Sequence, residues 1–379
     1  MVFDTAVVFR KYLPDGLYRF LEVIYIYLSN TYTLLKCKLL THKYLNKDNK
    51  KLYPKFLILP PTSRCNLSCA ICDRRNVKPL DLSLENLQKI EEVIKHAENI
   101  NFTGFGESLL NKEFSEILKY VFRVNKTKRI MTMVTNGTRL TREFGELVND
   151  RLNAIDISIN AATEETYLRD MKHSKLHIVL DNLRNFMSAL DEESRSRVGL
   201  IFVAHSKNYK EMPDFIDLVH SMGIKKARIS YFIAHDMEHV PLSLLCVKKE
   251  YNHFLDLAIK RAIKHNIFLY DSKFNSWANH NFLRFICTAP YTQLPIQTPD
   301  GNVNGPCCVG EFTPVNVFEN DFESFWFRDE YKKLRKERYL PCCLNCRAYV
   351  SFDTLEAHFE HIFLNAHRDQ IIDIINTPQ

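Results

Sequence analysis

Phe56-Leu57-Ile58-Leu59-Pro60-Pro61-Thr62-Ser63-Arg64-Cys65-Asn66-Leu67-Ser68-Cys69-Ala70-Ile71-Cys72 joins a short apolar run to three cysteines spaced Cys-x3-Cys-x2-Cys. The run 56–59 reads as a buried strand, and the cysteines follow it directly. No fourth cysteine or histidine stands close behind, whereas a structural zinc site wants four ligands, usually as paired short spacings. Three thiolates from one loop can instead hold three corners of a [4Fe–4S] cluster and leave the fourth iron open to a small molecule.

Working outward, apolar runs at 56–59, 100–103, 130–134, 154–159, 198–204 and 227–232 alternate with amphipathic segments. The stretch 83–96 carries Leu84, Leu87, Ile90, Val93 and Ile94 at helical spacing with Ser83 as its N-cap, and 111–119 and 211–221 repeat the theme. Six strands alternating with helices predict a parallel sheet with right-handed crossovers, whose ligands bind beyond the carboxyl ends of the strands. A helix-like tail covers 354–375.

The chain has 379 residues, with 51 Lys+Arg against 45 Asp+Glu, a net charge of +6 that is too mild to imply nucleic acid. Its 46% hydrophobic and 25% charged residues suit an ordinary globular protein. The beginning of the chain does not read as a secretory signal, and the uncharged stretch 23–35 falls short of the roughly 20 residues that span a bilayer. Eleven cysteines without an export signal predict reduced thiols, metal ligation and a cytoplasmic location. Residues 36–55 hold seven lysines against the single acid Asp48, a solvated face or a docking surface for an acidic protein or membrane. Cys37 and Cys246 read as small buried hydrophobes.

Glycine is scarce, 10 residues in all, so its positions inform. Two fall in Thr103-Gly104-Phe105-Gly106-Glu107-Ser108-Leu109-Leu110 after the second strand, where backbone can approach a ligand and a carboxylate can take hydrogen bonds from an ammonium group. The third strand ends in Val134-Thr135-Asn136-Gly137-Thr138 and the fourth in Ile155-Asp156-Ile157-Ser158-Ile159-Asn160. In this order the motifs resemble the radical S-adenosylmethionine (SAM) superfamily over roughly 55–232. The resemblance implies a partial (β/α)6 TIM-type barrel in the α/β class. It assigns Cys65, Cys69 and Cys72 to the cluster, with Ile71 where the family commonly has an aromatic residue. Phe105, Gly106 and Glu107 match the Gly-Gly-Glu-Pro element that binds the methionine amine, Phe105 replacing its first glycine and Ser108 its proline. Ser158 inherits a contact to the SAM carboxylate or ribose, with Asn136 as its neighbour. Asn160 takes the place of a common Asp. Arg169 is either a further carboxylate contact or a helix-surface arginine.

Beyond residue 271, aromatics, prolines and six cysteines concentrate: Cys287, Cys307, Cys308, Cys342, Cys343 and Cys346, with Asn316-Val317, Phe325-Trp326, Tyr331 and Leu334-Arg335 between them. This arrangement resembles the SPASM/twitch extension in its reduced, single-cluster form. It implies an auxiliary [4Fe–4S] cluster on Cys287, Cys307, Cys343 and Cys346, with Cys308 and Cys342 as substitutes and four-cysteine zinc as the alternative. The resulting division is a helical lead-in at 1–50, a radical SAM core at 51–270, the auxiliary domain at 271–350 and a helical tail at 351–379.

The resemblance further implies reductive cleavage of SAM to a 5′-deoxyadenosyl radical. That radical takes a hydrogen atom from a small-molecule substrate in an oxidation, epimerisation or rearrangement, or from a ribosomally made peptide. Reduced flavodoxin or ferredoxin supplies the electron, and Cys308, Cys342 or Cys246 could give back a hydrogen atom in an epimerase. A reading from another class, a metal-stabilised scaffold that binds a partner, predicts zinc and no SAM cleavage.

Overall fold

The computed structural model describes residues 52–72, 77–125, 130–271, 273–274, 288–305, 312–337 and 354–377, together with isolated positions between 17 and 42, which are helical. Eight strands form one parallel sheet: β1 (Phe56–Ile58), β2 (Asn99–Phe102), β3 (Ile130–Thr135), β4 (Ala154–Ser158), β5 (Val198–Ala204), β6 (Lys226–Tyr231), β7 (Phe268–Tyr270) and β8 (Gln293–Pro295). β1 to β7 lie side by side in chain order, and β8 returns to pair with the free side of β1. The order is that of successive βα units wound one way, the α/β radical SAM architecture that the sequence motifs imply.

The six anticipated strands all form, within a residue or two of their expected limits. β7 and β8 are additional. Each has only three residues, too few for an apolar pattern to stand out, and β8 continues the sheet from beyond residue 270.

Connecting helices used below are α1 (Leu84–Lys89), α2 (Glu91–His96), α3 (Phe114–Val124), α4 (Arg142–Val148), α5 (Glu164–Met171), α6 (Leu176–Ser188), α7 (Glu192–Ser196), α8 (Met212–Ser221) and α9 (Lys248–Lys264). Ser83 caps α1 as expected, its side chain accepting from Asn86 N at 3.1 Å. The anticipated helix 83–96 is broken at Ile90, whose φ of −109° and ψ of 25° leave the helical region and divide it into α1 and α2. Asn111 stays outside α3 and uses its amide to donate to Pro61 O and Leu82 O.

Along β2, β3 and β4 every second residue is fully buried: Ile100, Phe102, Met131, Met133, Ile155 and Ile157. This is the period of two that separates the faces of a strand. The buried face carries the helices, with Phe102 against Phe114 of α3 at 5.8 Å and Phe202 of β5 against Phe215 of α8 at 5.1 Å between ring centroids. The opposite, inner face is only half-buried and holds Asn101, Thr132, Asp156 and Ser158. Helix-side burial fixes the register, so polar residues are left for the inner face.

Candidate active site

The cysteine loop leaves β1 at the carboxyl edge of the sheet and is tied down along its first half. Ser63 N donates to Leu80 O and Leu82 N to Pro61 O, both at 2.9 Å, while Arg64 pairs with Asp81 at 2.9 Å. Cys65 and Cys69 are half-buried and Cys72 is exposed. Asn136 Nδ2 donates toward Cys65 Sγ at 3.7 Å and Leu67 N at 3.5 Å, donors of the kind that stabilise a thiolate. Asn136 also donates to Asn66 Oδ1 at 3.1 Å, and Asn66 Nδ2 donates to Thr138 Oγ1 at 2.9 Å. The loop is thus joined to the turn after β3.

The second half of the loop rests on the end of α5. Ala70 N donates to Asp170 O at 2.8 Å, and Cys69 Sγ lies 3.8 Å from Met171 Sδ. His239 Nε2 meets Ala70 O at 2.9 Å from the far side. Among the described residues, no three His, Cys, Asp or Glu side chains are gathered closely enough to hold a single metal ion. The donor set, three thiols on one loop, fits a [4Fe–4S] cluster in its chemistry, each thiolate taking a separate iron.

Glu107 is buried, and its carboxylate is fully engaged within the fold. One oxygen accepts from Thr135 Oγ1 at 2.7 Å and Leu109 N at 3.2 Å, the other from Asn136 N at 2.6 Å. Burial pushes its pKa up against these three hydrogen bonds, which favour the charged form. The side chain expected to face an ammonium group thus braces the end of β3, leaving the backbone of 104–106 and the exposed Phe105 to face outward. Gly106 has a more local purpose than ligand access. A Cβ there would stand 2.3 Å from Thr62 O and 2.5 Å from Arg64 O, so its absence lets the turn lie against the cysteine loop.

Ser158 ends β4 half-buried on the inner face, next to Asn136 at the end of β3. Asn160 is buried with a φ of +57°, a conformation Asn tolerates better than most residues. Its side chain accepts from Val203 N at 2.8 Å and donates to Met171 Sδ at 3.3 Å, so it joins β4, β5 and α5. Arg169 grips Asp170 with two hydrogen bonds of 2.7 Å and donates to Lys207 O at 3.3 Å, with its side chain 44% exposed. Sequence reasoning missed Asp170, whose carboxylate also meets the buried His205 Nε2 at 3.1 Å. Its position beside Arg169 was the available signal. Burial raises the Asp170 carboxyl, but Arg169 and His205 outweigh it and hold the group below its usual range.

Cys287, Cys307, Cys308, Cys342, Cys343, Cys346 and Cys37 lie outside the described residues. Cys246 is half-buried, and burial pushes its thiol up. The segments flanking the C-terminal cysteines do meet. Arg335 is fully buried, donating to Pro290 O at 2.8 Å and Trp326 O at 2.7 Å, with its guanidinium 4.6 Å over the Trp326 ring. Tyr291 OH donates to Arg335 O at 2.6 Å. Phe312 packs edge-on to Tyr331 at 5.6 Å, and a Cβ on Gly305 would strike the Phe312 ring at 2.3 Å. Asn302–Val303 (β9) and Val315–Asn316 (β10) pair antiparallel, and the chain enters β9 through a turn at Gly301, with φ +95°.

A parallel sheet with a three-cysteine loop at its carboxyl edge places the chain in the α/β class, and comparison with known proteins shows which of them it is similar to. Residues 59–219, rather less than half of the chain, match the profile of the Radical SAM superfamily. Curated relatives include GTP 3′,8-cyclase of Vibrio vulnificus, 25% identical over 201 residues covering 51% of this chain and 58% of that one. The tungsten-containing aldehyde ferredoxin oxidoreductase cofactor-modifying protein of Pyrococcus furiosus is 24% identical over 195 residues, covering 49% of this chain and 54% of that one. The chain spans a little over half the length of these two relatives. Among solved structures, Streptococcus suis SuiB bound to precursor peptide SuiA superposes with a TM-score of 0.57 at 16% identity, covering 77% of this chain and 69% of that one. Native anSMEcpe with bound AdoMet gives 0.57 at 17% identity, covering 85% and 98%. At such identities these two likenesses speak for the fold. No helix of the described residues is long and apolar enough to cross a membrane.

Proposed function

We propose that Cys65, Cys69 and Cys72 hold a [4Fe–4S] cluster whose open iron takes SAM, and that the enzyme acts on a small molecule bound over the inner face of the sheet. The observation that carries this is the cysteine loop itself, three thiols at the carboxyl edge of β1 with amide donors aimed at Cys65. When bound, cluster and SAM together supply a 5′-deoxyadenosyl radical able to take a hydrogen atom from an unactivated C–H bond. The chain's own residues orient and shield. Asn136 and Leu67 N–H stabilise the Cys65 thiolate, and the end of α5 fixes the position of Cys69. The backbone of 104–106 offers carbonyls to the methionine amine, while Glu107 keeps that turn in place from behind. Ser158 offers its hydroxyl to the carboxylate or ribose. Arg169 is held by Asp170 and reaches the ligand only with the guanidinium edge left over.

An auxiliary [4Fe–4S] cluster on Cys287, Cys307, Cys343 and Cys346 belongs to the same proposal, with Cys308 and Cys342 as substitutes. It is supported by the meeting of Pro290, Gly305, Phe312 and Arg335 around Trp326 and Tyr331, residues that in the sequence closely follow Cys287, flank Cys307 and precede Cys342. The electron donor is a reduced flavodoxin or ferredoxin in a reducing cytoplasm, and the seven lysines in the sequence 36–55 give that stretch the charge to attract an acidic protein. Peptide modification is the second reading, because SuiB is solved with its precursor peptide and anSMEcpe with the Kp18Cys peptide.

Anaerobic reconstitution tests the assignment. The expected outcome is about eight irons per chain, two clusters of four, and release of 5′-deoxyadenosine under reductant. C65A, C69A and C72A together should abolish that release. Cleavage surviving in the triple variant, or a colourless zinc-loaded protein, would refute it.

A further inference from the structure

We infer that the inner face of the sheet carries an anion-binding subsite, Arg228 and Lys226 of β6 backed by Tyr270 of β7, which takes a carboxylate or phosphate group of the substrate. It rests on the radical SAM reading only for the position of the reacting carbon. The strand register puts Asp156, Gly199, Ile201, Lys226, Arg228 and Tyr270 on the face away from the helices. Across all eight strands, the charged side chains on that face are Asp156, Lys226 and Arg228, a net charge of +1. Everything else there is neutral.

Asp156 does not neutralise Arg228. Their closest atoms stand 4.0 Å apart, at the limit of an ion pair, and the Arg228 side chain stays 50% exposed. The contrast with Arg169 is informative, since that guanidinium closes on Asp170 with two bonds of 2.7 Å. Arg228 is instead positioned by an aromatic ring, lying 5.4 Å over Tyr270. A planar guanidinium stacked on one face, with its donors still open, suits two-point recognition of an oxyanion.

Two further features make the arrangement a built one. Gly199 lies on the strand between Asp156 and Lys226, and a Cβ there would stand 2.6 Å from Asp156 Oδ1. The glycine therefore lets the carboxylate lean toward β6, where it can hold the two cations without closing on either. The row Ser158–Ile201–Arg228–Tyr270 runs straight across β4 to β7. With strands spaced about 4.8 Å apart, Arg228 lies about 10 Å from Ser158, one small-molecule length from the proposed SAM contact.

The test titrates the reconstituted wild-type protein by calorimetry with inorganic phosphate and, separately, with glutarate, at constant ionic strength against a chloride control. Saturable binding of phosphate assigns a phosphoryl group, and binding of glutarate alone assigns a carboxylate. R228Q should weaken that binding about tenfold, R228K should recover most of it, and D156N should tighten it because a competing carboxylate is gone. A purely structural Asp156–Arg228 pair would instead lose binding or stability in D156N. Neither anion binding above the chloride control, or R228Q binding as tightly as wild type, overturns the subsite. SAM cleavage by the same preparation, measured without either anion, separates the two ideas. Cleavage without anion binding sinks the subsite alone, while anion binding without cleavage leaves the subsite and sinks the radical SAM site.

Discussion

A methyl group on Gly106 would meet Thr62 O and Arg64 O at 2.3 and 2.5 Å, both of them backbone atoms of the loop that ends in Cys65. Backbone cannot swing aside as the tip of a side chain can. G106A should therefore push the cysteine loop off the end of β2, destabilise the fold by about 1–3 kcal/mol as overpacking does, and lower iron incorporation in parallel. Gly223 is the control. Its φ of +70° carries the strain of a left-handed residue, but a Cβ there meets nothing within 4 Å. G223A should thus cost only the backbone term, about 1–2 kcal/mol, with iron content unchanged. Thermal melts paired with iron analysis read both variants, and an iron-loaded G106A would mean the loop is held from elsewhere. Glu107 makes the related point for a polar atom. E107Q keeps the shape but has one acceptor oxygen where the carboxylate has two, so a buried donor among Thr135 OH, Asn136 N–H and Leu109 N–H loses its partner. An orphan of this kind costs about 1–3 kcal/mol, and denaturant titration should show it whether or not SAM is present.

The last turn of α5 ties the second half of the cysteine loop to the rest of the fold, as the 80–82 segment and the turn after β3 tie its first half. It presents Asp170 O to Ala70 N and Met171 to both Cys69 and Asn160, and its orientation depends on the Asp170 carboxylate between Arg169 and His205. Because that carboxyl is held below its usual range, its contribution to stability is complete above the ordinary aspartate pKa and is lost as pH falls through the lower folded value. D170N should therefore cost about 2 kcal/mol at neutral pH, the scale of hydrogen bonds to a charged group. It should also flatten the acid limb of the stability curve below about pH 4. An acid limb identical in wild type and D170N would show that the pair contributes nothing. None of this geometry was written in one place in the sequence. Cys65, Cys69 and Cys72 were legible as candidate ligands because all three lie within eight residues, so spacing alone carries the proposal. Glu107, by contrast, meets Thr135 and Asn136 only because β2 pairs with β3, and Asp170 meets His205 only because β4 and β5 align. Contacts of that range follow from sheet register, which a single sequence specifies but does not display.

At the scale of the whole molecule, residues before and after position 271 share one sheet. β8 adds to the free side of β1, hydrogen-bonding the strand that leads into the cysteine loop, and Pro290 just before β8 receives Arg335. The Trp326–Tyr331–Arg335 group was visible in the sequence as a set of landmarks, but its packing was not, since Arg335 is an ion by composition and a buried keystone by location. A guanidinium that donates to two backbone carbonyls and stacks on indole cannot be replaced by an apolar isostere without leaving those carbonyls unmet. R335M should accordingly loosen the extension and reduce iron from about eight toward about four per chain, while the SAM cluster in the core stays loaded. C343S with C346S should give the same iron count without the packing loss, so the two variants separate ligation from scaffold. In both, release of 5′-deoxyadenosine should persist while turnover of substrate is lost, because the proposed function assigns SAM cleavage to Cys65, Cys69 and Cys72 alone. Iron falling to zero in either variant would mean that the two metal sites fold as one unit and that the division between core and extension is not physical.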